Sequence, residues 1–522
     1  MTMAVTVESG DITQVQADVV VVNLFEGVTE PSGGTGAVDA ALGHLITDEL
    51  AQSQAFKGKL GDTLCLHTHG KLPARWVVLV GLGKAEKFDD TAIRRASAAA
   101  IQACKTLKAK TVATLVHGAG IGGVAPDTAA RLVAEGSVLG HYEFTKRKTG
   151  KDAKGEAKPE PLAHQIDRLI LLEKHTEKHP EKYEALKQGC QLGLDIAAGV
   201  TMARDLVWDS GNHVTPTVLA EAARSLNGGA ISVKIYNQED IEAFQMGSFL
   251  SVAKGSVEPP RFVHLTYTPP SGKARKKVAV VGKGITFDSG GISLKTNDWI
   301  EVMKMDMGGA AAVIGLFKAL SARDDLDVEV HGFVPTCENM PSGGANKPGD
   351  IVTSMSGQTI EINNTDAEGR LILNDAMTYA QRHVKPDELI DLATLTGACL
   401  IALGYAASGI MGTDQPLIEQ LRAAGDRAGE KLWQLPLYDE YETFLKSDVA
   451  DLKNAGNDRQ AGSSAAGTFL KAFVEEGQKW AHIDIAGPAY TKQATPEAPK
   501  GATGVGVRTL FYYLYQLPGT RA

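Results

Sequence analysis

The sequence predicts an α/β protein with two domains, each built on a mostly parallel or mixed sheet flanked by helices. Short apolar runs rich in β-branched residues alternate along the chain with longer segments of helical periodicity. The chain has 522 residues, of which 43% are hydrophobic, and this is enough for two or three separate cores. One long helical segment, 180–207, lies between two such alternating regions and is predicted to join them.

The smaller domain is expected at 1–179. Its strands are predicted at 4–8, 18–23, 76–81, 111–117 and 168–172, and its helices at 38–53, 91–107 and 128–139. A lysine-rich segment, 146–158, lacks apolar periodicity and predicts a solvated loop, although such a loop can also contact nucleic acid or an acidic partner.

The linking helix and the larger domain follow. Pro180 suits the first turn of a helix, where a backbone N–H has no helical partner. The larger domain is expected at 208–522. Its strands are predicted at 232–236, 262–267, 278–281, 328–334, 389–392 and 482–485, and its helices at 217–225, 309–321, 370–382 and 465–473.

Composition argues against several classes of protein. The net charge of −9 and the pI near 5.9 do not suit a surface built for nucleic acid. The five cysteines are scattered and never spaced as C-x-x-C, so neither a disulfide framework nor a cysteine zinc site is expected. The N-terminal stretch lacks a basic head followed by an apolar run, and no stretch is long enough to span a membrane, so we expect a cytoplasmic protein.

Two motifs imitate known sites but have simpler explanations. Residues 118–123, GAGIGG, match G-x-G-x-x-G and could cradle a pyrophosphate, but Pro126 delays the following helix and a tight turn is expected. His175, Glu177 and His179 imitate a zincin pair, but the glutamate is displaced by one position and a helix starts only after the second histidine. We expect a solvated linker there.

The segments 278–307 and 364–370 contain the main candidate site. They carry charged residues in surroundings that are otherwise apolar or rich in glycine, namely Lys283, Asp288, Lys295, Asp306, Asp366 and Glu368. Carboxylates beside a core strand must be compensated by a cation, and a metal centre would compensate all four.

Each carboxylate also has an ordinary explanation. Asp306 precedes a helical run and could be its N-cap, and Asp288 precedes Ser-Gly-Gly and could form an Asx turn. Asp366 and Glu368 could favour the dipole of the following helix. If their segment is extended, however, their side chains and that of Arg370 leave it on one side. One metal centre replaces four separate explanations.

The chemistry of these residues suits two metal ions. Four carboxylates can bridge a pair of hard divalent ions about 3.5–4 Å apart, which can activate water and polarise a carbonyl. Lys283 could lose its proton and bind a metal, because burial and nearby positive charge both lower the pKa of an ammonium group. Lys295 would stay protonated and stabilise an oxyanion. Arg370 cannot act as a base, but it can hold an anion that does.

Five ordered blocks of the sequence resemble one known family. NTDAEGR at 364–370 is accompanied by GKGITFDSGGISLK, MKMDMGGAAAV, DLATLTGA and HIDIAGPA. With these blocks the chain resembles the leucyl aminopeptidases of the cytosol aminopeptidase family, which are dinuclear metallopeptidases. The resemblance covers the whole C-terminal domain and, more loosely, the N-terminal one.

The resemblance implies a role for each site residue. The metal ligands that it implies, for one tightly held and one more exchangeable ion, are Lys283, Asp288, Asp306, Asp366 and Glu368. It implies that Lys295 is a catalytic lysine and that Arg370 holds a bicarbonate acting as general base. The substrate-binding residues that it implies, an apolar set suited to leucine or methionine, are Met303, Thr394, Leu395, Gly397, Ala486 and Ala489.

The resemblance also implies a reaction and an assembly. The expected activity is the release of single N-terminal residues from peptides, preferentially leucine and other apolar residues, by attack of a water that bridges two manganese or zinc ions. The N-terminal domain is expected to resemble macro domains, and the chain is expected to form a homohexamer, a dimer of trimers. Two alternatives stay open, namely an additional DNA-binding regulatory role and a non-catalytic N-terminal module that binds ADP-ribose.

Overall fold

A computed structural model of the chain describes residues 3–52, 56–120, 122–152, 155–157, 164–174, 176–296, 300–456 and 460–516. The chain forms two compact units. The first contains Met1–Ala197 with Gln493–Pro499, and the second contains Ala198–Lys492 with Lys500–Leu517. The division falls inside one long helix, Pro180–Trp208, which the sequence predicts at 180–207.

The first unit alternates strands and helices, as predicted. Its strands are β1 (Ala4–Ser9), β2 (Val19–Leu24), β3 (Thr63–His67), β4 (Trp76–Gly81), β5 (Thr111–Leu115) and β6 (Arg168–Glu173). Its α-helices are α1 (Gly33–Leu42), α2 (Leu45–Gln52), α3 (Asp90–Thr106) and α4 (Pro126–His141), and α5 is Pro180–Trp208. The sheet has the order β1-β6-β5-β2-β4-β3 and pairs in parallel except between β3 and β4.

One predicted helix of the first unit is two helices. The segment 38–53 is interrupted where Gly43 and His44 adopt left-handed φ values of 73° and 67°. Asp39 stabilises this break, because its Oδ1 accepts a hydrogen bond from the backbone N–H of Ile46 at 2.8 Å. The prediction of one continuous helix there was therefore wrong.

The described part of the GAGIGG segment, 118–120 with 122 and 123, forms the expected tight turn. The backbone N–H of Val124 donates to the carbonyl of Gly118 at 3.0 Å. Helix α4 begins at Pro126 itself, so the proline starts the helix and does not delay it. The turn borders a cavity of about 500 Å³ at the carboxyl ends of β2 and β5, where the strand connections diverge in opposite directions.

The zincin-like segment and the lysine-rich segment lie at the surface, as far as the structure describes their residues. Glu177 and His179 are exposed, and His175 lies outside the described residues. The described part of the lysine-rich segment, 146–152 and 155–157, is largely exposed, with an isolated antiparallel bridge between Lys151 and Ala157. No helix in the described part of the chain combines the length and the apolarity needed to cross a bilayer.

The second unit also alternates strands and helices. Its α-helices are α6 (Pro216–Arg224), α7 (Gln238–Ala243), α8 (Gly247–Ala253), α9 (Gly308–Leu320), α10 (Gly369–His383), α11 (Gly397–Leu403), α12 (Gln415–Ala428), α13 (Gly462–Lys471) and α14 (Val507–Tyr515). Its strands are β7 (Ile231–Tyr236), β8 (Arg261–Tyr267), β9 (Lys276–Gly282), β10 (Gly284–Asp288), β11 (Val328–Asn339), β12 (Asp350–Thr353), β13 (Thr359–Ile362), β14 (Glu388–Ala393), β15 (Ser408–Gly412), β16 (Leu432–Gln434), β17 (Leu452–Lys453), β18 (Lys479–Asp484), β19 (Tyr490–Thr491) and β20 (Gly501–Ala502).

The main sheet of the second unit is mixed, as predicted. It follows the path β16-β15-β18-β14-β9-β11-β8-β7, and β10 pairs with β11 beside this path. The neighbours β18, β14, β9 and β11 are parallel, so their carboxyl ends meet at one edge of the sheet. All six residues of β14 are buried, which is typical of a strand covered by helices on both faces.

Candidate active site

The site lies beyond the carboxyl ends of these parallel strands. Lys283 directly follows β9 and Thr394 directly follows β14, while Asn339 ends β11 and Asp484 ends β18. In open α/β sheets this crevice is the usual place for a ligand, because the loops that leave neighbouring strands converge there. The predicted site residues therefore meet where the fold favours a binding site.

Lys283 is at the centre of the more buried half of the site. Its Nζ lies 2.7 Å from Asp306 Oδ2 and 2.7 Å from Glu368 Oε1, and it donates to the carbonyl of Thr394 at 3.2 Å. All three charged residues are at most 4% exposed. Helix α10 begins so close to this lysine that a Cβ on Gly369 would lie 2.5 Å from Lys283 Cε. Glycine is needed there for the lysine to keep its place.

Lys295 joins the two carboxylates of the more open half. Its Nζ lies 2.8 Å from Asp288 Oδ2 and 2.6 Å from Asp366 Oδ1. The Asp288 side chain is 3% exposed, whereas that of Asp366 is 34% exposed. One carboxylate oxygen from each of Asp288, Asp366 and Glu368 lies within 4.8 Å of the other two. The two distant sequence segments thus converge as predicted.

The site holds more negative than positive charge. Burial and the neighbouring carboxylates raise the pKa of Asp366 to about 6, and burial also raises the pKa of Asp306 and of Asp288. Burial opposes the charge of Glu368 too, but the two ammonium groups outweigh it and lower the pKa of that carboxyl. Burial likewise disfavours the Lys283 ammonium, but the carboxylates outweigh it and raise its pKa. A divalent cation would relieve this crowding of carboxylates.

Two neutral side chains orient the buried carboxylates. Asn339 Nδ2 donates to Asp288 Oδ1 at 2.8 Å, and Thr394 Oγ1 donates to Asp306 Oδ1 at 2.7 Å. Sequence reasoning missed Asn339, because the strand predicted at 328–334 ends before it, whereas β11 extends to Asn339 itself. The same reasoning placed Thr394 among the substrate residues and missed its contact with Asp306.

The structure excludes the ordinary explanation for Asp306 and supports the one for Asp288. Asp306 does not cap α9, because the N-cap position is Met307 and no side chain caps it. Asp288 does form the Asx turn, since its Oδ1 accepts from the N–H of Gly290 at 2.9 Å, but the same carboxylate also contacts Lys295. A local turn therefore coexists with the cluster and does not replace it.

The backbone of 364–368 is not extended. Thr365 and Asp366 form a turn, and Glu368 has helical angles of −81° and −32° immediately before α10. The condition for the i, i+2, i+4 arrangement of Asp366, Glu368 and Arg370 is therefore not met. Arg370 belongs to the first turn of α10, is 7% exposed, and donates from its guanidinium to the carbonyl of Asn454 at 2.7 Å.

The charged cluster forms one wall of a cavity of about 590 Å³. Five of the six predicted substrate residues line this cavity, namely Met303, Thr394, Leu395, Gly397 and Ala486. The sixth, Ala489, is not among the described lining residues. It is 4% exposed and lies near Gly308, where an added Cβ would be 3.6 Å away. The same added Cβ would lie 3.3 Å from Thr394 Cγ2, so Ala489 lies near this wall residue.

Apolar side chains that sequence reasoning missed extend the cavity towards its mouth. Leu294, Leu400 and Ile401 line it, and Ile401 is 88% exposed. Leu400 and Ile401 belong to the short helix α11, which begins at Gly397, within the DLATLTGA block that carries the predicted residues. The helix was not predicted, so these two positions gave no signal.

The donor set suits a hard divalent cation. Carboxylate oxygens dominate it, and such oxygens are the preferred ligands of magnesium, manganese and calcium and are also accepted by zinc. Glu368 Oε2 is buried and meets no hydrogen-bond donor among the described residues. A buried carboxylate oxygen of this kind is costly unless a cation or a donor satisfies it. The residues present therefore fit a metal centre.

Comparison with known proteins decides the family. The model of the cytosol aminopeptidase family catalytic domain matches residues 201–511, and that of the family's N-terminal domain matches 21–151. The chain belongs to the cytosol aminopeptidase family. As a member of this family it is a metal-dependent aminopeptidase, in agreement with the sequence prediction.

Members of the cytosol aminopeptidase family match almost the whole chain. A probable cytosol aminopeptidase from a Geobacter species is 48% identical over 91% of this chain and 92% of the relative. One from Alkaliphilus oremlandii is 42% identical over 98% of this chain and 99% of the relative.

Two solved structures share the fold. A tomato leucine aminopeptidase variant superposes with a TM-score of 0.85 at 34% identity, covering 99% of this chain and 97% of that one. The bottromycin maturation enzyme BotP in complex with Mn superposes with a TM-score of 0.81 at 34% identity, covering 96% of this chain and 99% of that one. The predicted two-domain α/β architecture is thereby confirmed.

Proposed function

We propose that this aminopeptidase releases single N-terminal residues from peptides, preferentially leucine and other apolar residues, with the help of two divalent metal ions. One observation carries the proposal. The five predicted metal ligands converge within ion-pairing distances on one wall of a cavity of about 590 Å³ that also has apolar lining residues. Cavities of about 300–1,000 Å³ with a few polar groups on an apolar wall are typical of binding sites for small molecules and side chains.

The ligands divide into two overlapping sets. Lys283, Asp288, Asp306 and Glu368 would hold the first ion, and Asp288, Asp366 and Glu368 would hold the second. Burial opposes the Lys283 ammonium, but the carboxylates outweigh it and raise the pKa of this lysine, so its Nζ must give up a proton in exchange for the ion, which offsets their charge. The contacts of Lys283 Nζ with Asp306 and Glu368 support the first set, and the mutual proximity of the three oxygens supports the second. When bound, such a pair of ions activates water and polarises a carbonyl. Manganese is favoured by the BotP relative that binds Mn, with zinc as the other candidate.

Lys295 and Arg370 would act on the reacting groups. Burial disfavours the Lys295 ammonium, but Asp288 and the other carboxylates outweigh it and raise its pKa, so the group keeps its proton. As a charged donor on the cavity wall, Lys295 would stabilise the oxyanion. Arg370 Nε is buried and has no hydrogen-bond partner among the described residues, so the guanidinium can still bind a bicarbonate, which would accept a proton as general base.

The cavity wall supports a preference for apolar first residues. Met303, Gly397 and Ala486 offer an apolar surface with space for a leucine side chain. The backbone N–H of Leu395 already donates within the protein, at 3.1 Å to Asp484, so its carbonyl is the group we expect to contact the substrate main chain. Ala489 would support this wall near Thr394.

Hydrolysis of leucine p-nitroanilide by the purified enzyme tests the proposal. We expect activity that a chelator removes and that added manganese or zinc restores, with two ions per chain by metal analysis. The alanine and glutamate p-nitroanilides measure the preference for a large apolar residue. Hydrolysis that survives complete removal of metal, or a preference for the glutamate substrate, would contradict the proposal.

We also propose a homohexamer, a dimer of trimers, that works in the cytoplasm. The description of the relatives as cytosol aminopeptidases supports the location. The homohexamer rests on the family resemblance alone. Light scattering of the purified enzyme is expected to give a particle of about six times the chain mass of 55.2 kDa.

Ligand binding by the first unit is a second candidate function, favoured by its cavity of about 500 Å³ at the carboxyl ends of β2 and β5. Calorimetry with ADP-ribose tests it. Gly120 lines this cavity, and a Cβ added there meets no heavy atom within 4 Å, so Gly120→Leu should narrow the cavity and weaken any binding. The DNA-binding alternative stays a prediction, and a gel shift at low salt tests it, because phosphate contacts are strongest there.

A further inference from the structure

Asp484 is a buried carboxylate that the proposed function leaves without a role. It ends β18 in the HIDIAGPA block, opposite Ala393 of β14, and is fully buried. It is not among the residues that line the cavity. A charged group in such a position must be satisfied by donors or cations, and the identity of these partners shows what it supports.

The carboxylate of Asp484 holds two separate segments of the cavity wall. Its Oδ1 accepts from the N–H of Leu395 at 3.1 Å and from the N–H of Ala486 at 3.1 Å. Its Oδ2 accepts from Thr396 Oγ1 at 2.7 Å. Leu395, Thr396 and Ala486 all line the cavity. One side chain therefore fixes the distance between the wall that follows β14 and the wall that follows β18.

The same carboxylate is connected to the metal site through one peptide group. The carbonyl of Thr394 accepts from Lys283 Nζ at 3.2 Å, while the N–H of the same peptide, on Leu395, donates to Asp484. The C=O and N–H of a trans peptide point in opposite directions, so the two bonds together fix its orientation. Thr394 Oγ1 in turn donates to Asp306 at 2.7 Å.

We infer that Asp484 is a positioning residue that sets the width of the first-residue pocket. It touches no substrate and acts through Leu395, Thr396 and Ala486. The inference rests on the proposed function, because it assumes that this cavity receives the side chain of the first residue. Charge-assisted hydrogen bonds to a single buried carboxylate are stronger than neutral ones, so this cross-connection holds the two walls rigidly.

The test compares Asp484→Ala, Asp484→Asn and a matched control, Asp375→Ala. Asp375 is also a fully buried aspartate of the second unit, and its two oxygens accept backbone N–H groups from Phe249 and Met355 at 2.8 and 2.7 Å. It lies on α10 and is not among the residues that line the cavity. Each enzyme is assayed with leucine and alanine p-nitroanilide after metal analysis.

We expect Asp484→Ala to lower the leucine-to-alanine ratio of kcat/KM by about tenfold, chiefly through a higher KM for the leucine substrate, because a loosened wall loses its fit to the larger side chain. The metal content should equal that of the parent. Asp484→Asn should restore most of the ratio, because its carbonyl oxygen can accept both N–H groups and its NH₂ can donate to Thr396. Asp375→Ala should leave the ratio unchanged even where it lowers the melting temperature.

An unchanged ratio in Asp484→Ala, or an equal fall in Asp375→Ala, would overturn the inference. If Asp484→Ala does not fold, Thr396→Val decides, since it removes the 2.7 Å bond to Asp484 and should lower the ratio by about threefold. It also removes the bonds of Thr396 Oγ1 to Ser463 Oγ and to the N–H of Cys399, so Ser463→Ala serves as its control and should leave the ratio unchanged. An unchanged ratio in Thr396→Val counts against the inference. A parent enzyme that fails to hydrolyse leucine p-nitroanilide would contradict the proposed function instead, so the two failures are distinguishable.

Discussion

Replacing Gly369 by alanine tests how closely helix α10 is fitted to the proposed metal site. An added Cβ would lie 2.5 Å from Lys283 Cε, 2.7 Å from its Cδ and 2.7 Å from its Nζ. Ordinary carbon contacts are about 3.5–4.0 Å, so the end of the lysine must retreat by about 1 Å. Its Nζ contacts with Asp306 and Glu368, both 2.7 Å, would then exceed hydrogen-bond length.

The fold should tolerate this change although the site should not. Gly369 has no left-handed φ, and alanine in a helix is more stable than glycine by about 0.5–1 kcal/mol. Only the flexible end of one side chain has to move. We therefore expect a melting temperature within about 3 °C of the parent's, but weaker metal binding and a kcat at least about 100-fold lower, since misplacement by 1 Å can cost that much.

Metal titration, thermal melting and leucine p-nitroanilide kinetics are measured on Gly369→Ala and on Gly343→Ala. The control is chosen because a Cβ on Gly343 meets no heavy atom within 4 Å, so it should behave as the parent. Parental metal affinity and kcat in Gly369→Ala would refute the reasoning. They would mean that the position of Lys283 is unimportant and that this lysine is not a metal ligand.

Three further predictions concern the same centre. Asp288→Ala should lose both metal and hydrolysis, whereas Lys295→Ala and Arg370→Ala should keep the metal and lose at least about 100-fold in kcat. Metal analysis of the three proteins decides, and parental hydrolysis by Asp288→Ala would contradict us. Ala486→Leu should fill the pocket and lower kcat/KM for the leucine substrate about tenfold more than for the alanine substrate, as steady-state kinetics with both would show. Chelation should lower the melting temperature, since an ion bound only to the folded chain at 100 times its Kd adds about 2.7 kcal/mol; a scan unaffected by manganese would argue against tight binding.

The core of the second unit was predictable because its signals are strong and local. The apolar run at 278–281 lies inside β9, and the helices predicted at 309–321 and 370–382 differ from α9 and α10 by only one residue at each end. These elements bring the two segments of the site together. The identity of the charged residues then sufficed to predict a metal centre there.

Other elements depend on contacts that are distant in sequence. β10 follows β9 after the single residue Lys283 and exists because it pairs with β11, about fifty positions away. The short strand β12 pairs with β13, and β13 also pairs with β17, so the pattern of each strand alone is too short to predict it. The bonds from Asp484 to Leu395 and Thr396 cross almost ninety positions, and no spacing rule covers such a distance.

The i, i+2, i+4 arrangement of Asp366, Glu368 and Arg370 does not apply for a related reason. A spacing of two is informative only when the backbone is extended, and Glu368 lies in helical conformation at the start of α10. What holds this turn is a pair of reciprocal bonds to the other segment. The N–H of Ser293 donates to Thr365 Oγ1 at 2.8 Å, and the N–H of Thr365 donates to Ser293 Oγ at 3.2 Å.

The crowding of carboxylates around Lys283 and Lys295 has a consequence for protein engineering. Groups whose ionisation the folded chain resists make that chain less stable than it would be with neutral residues of the same shape. Asp366→Asn should therefore raise the melting temperature in the presence of chelator. With metal added, the same substitution should lower the hydrolytic activity. A search for thermostable forms by melting temperature in the presence of chelator would therefore select against the proposed metal ligands.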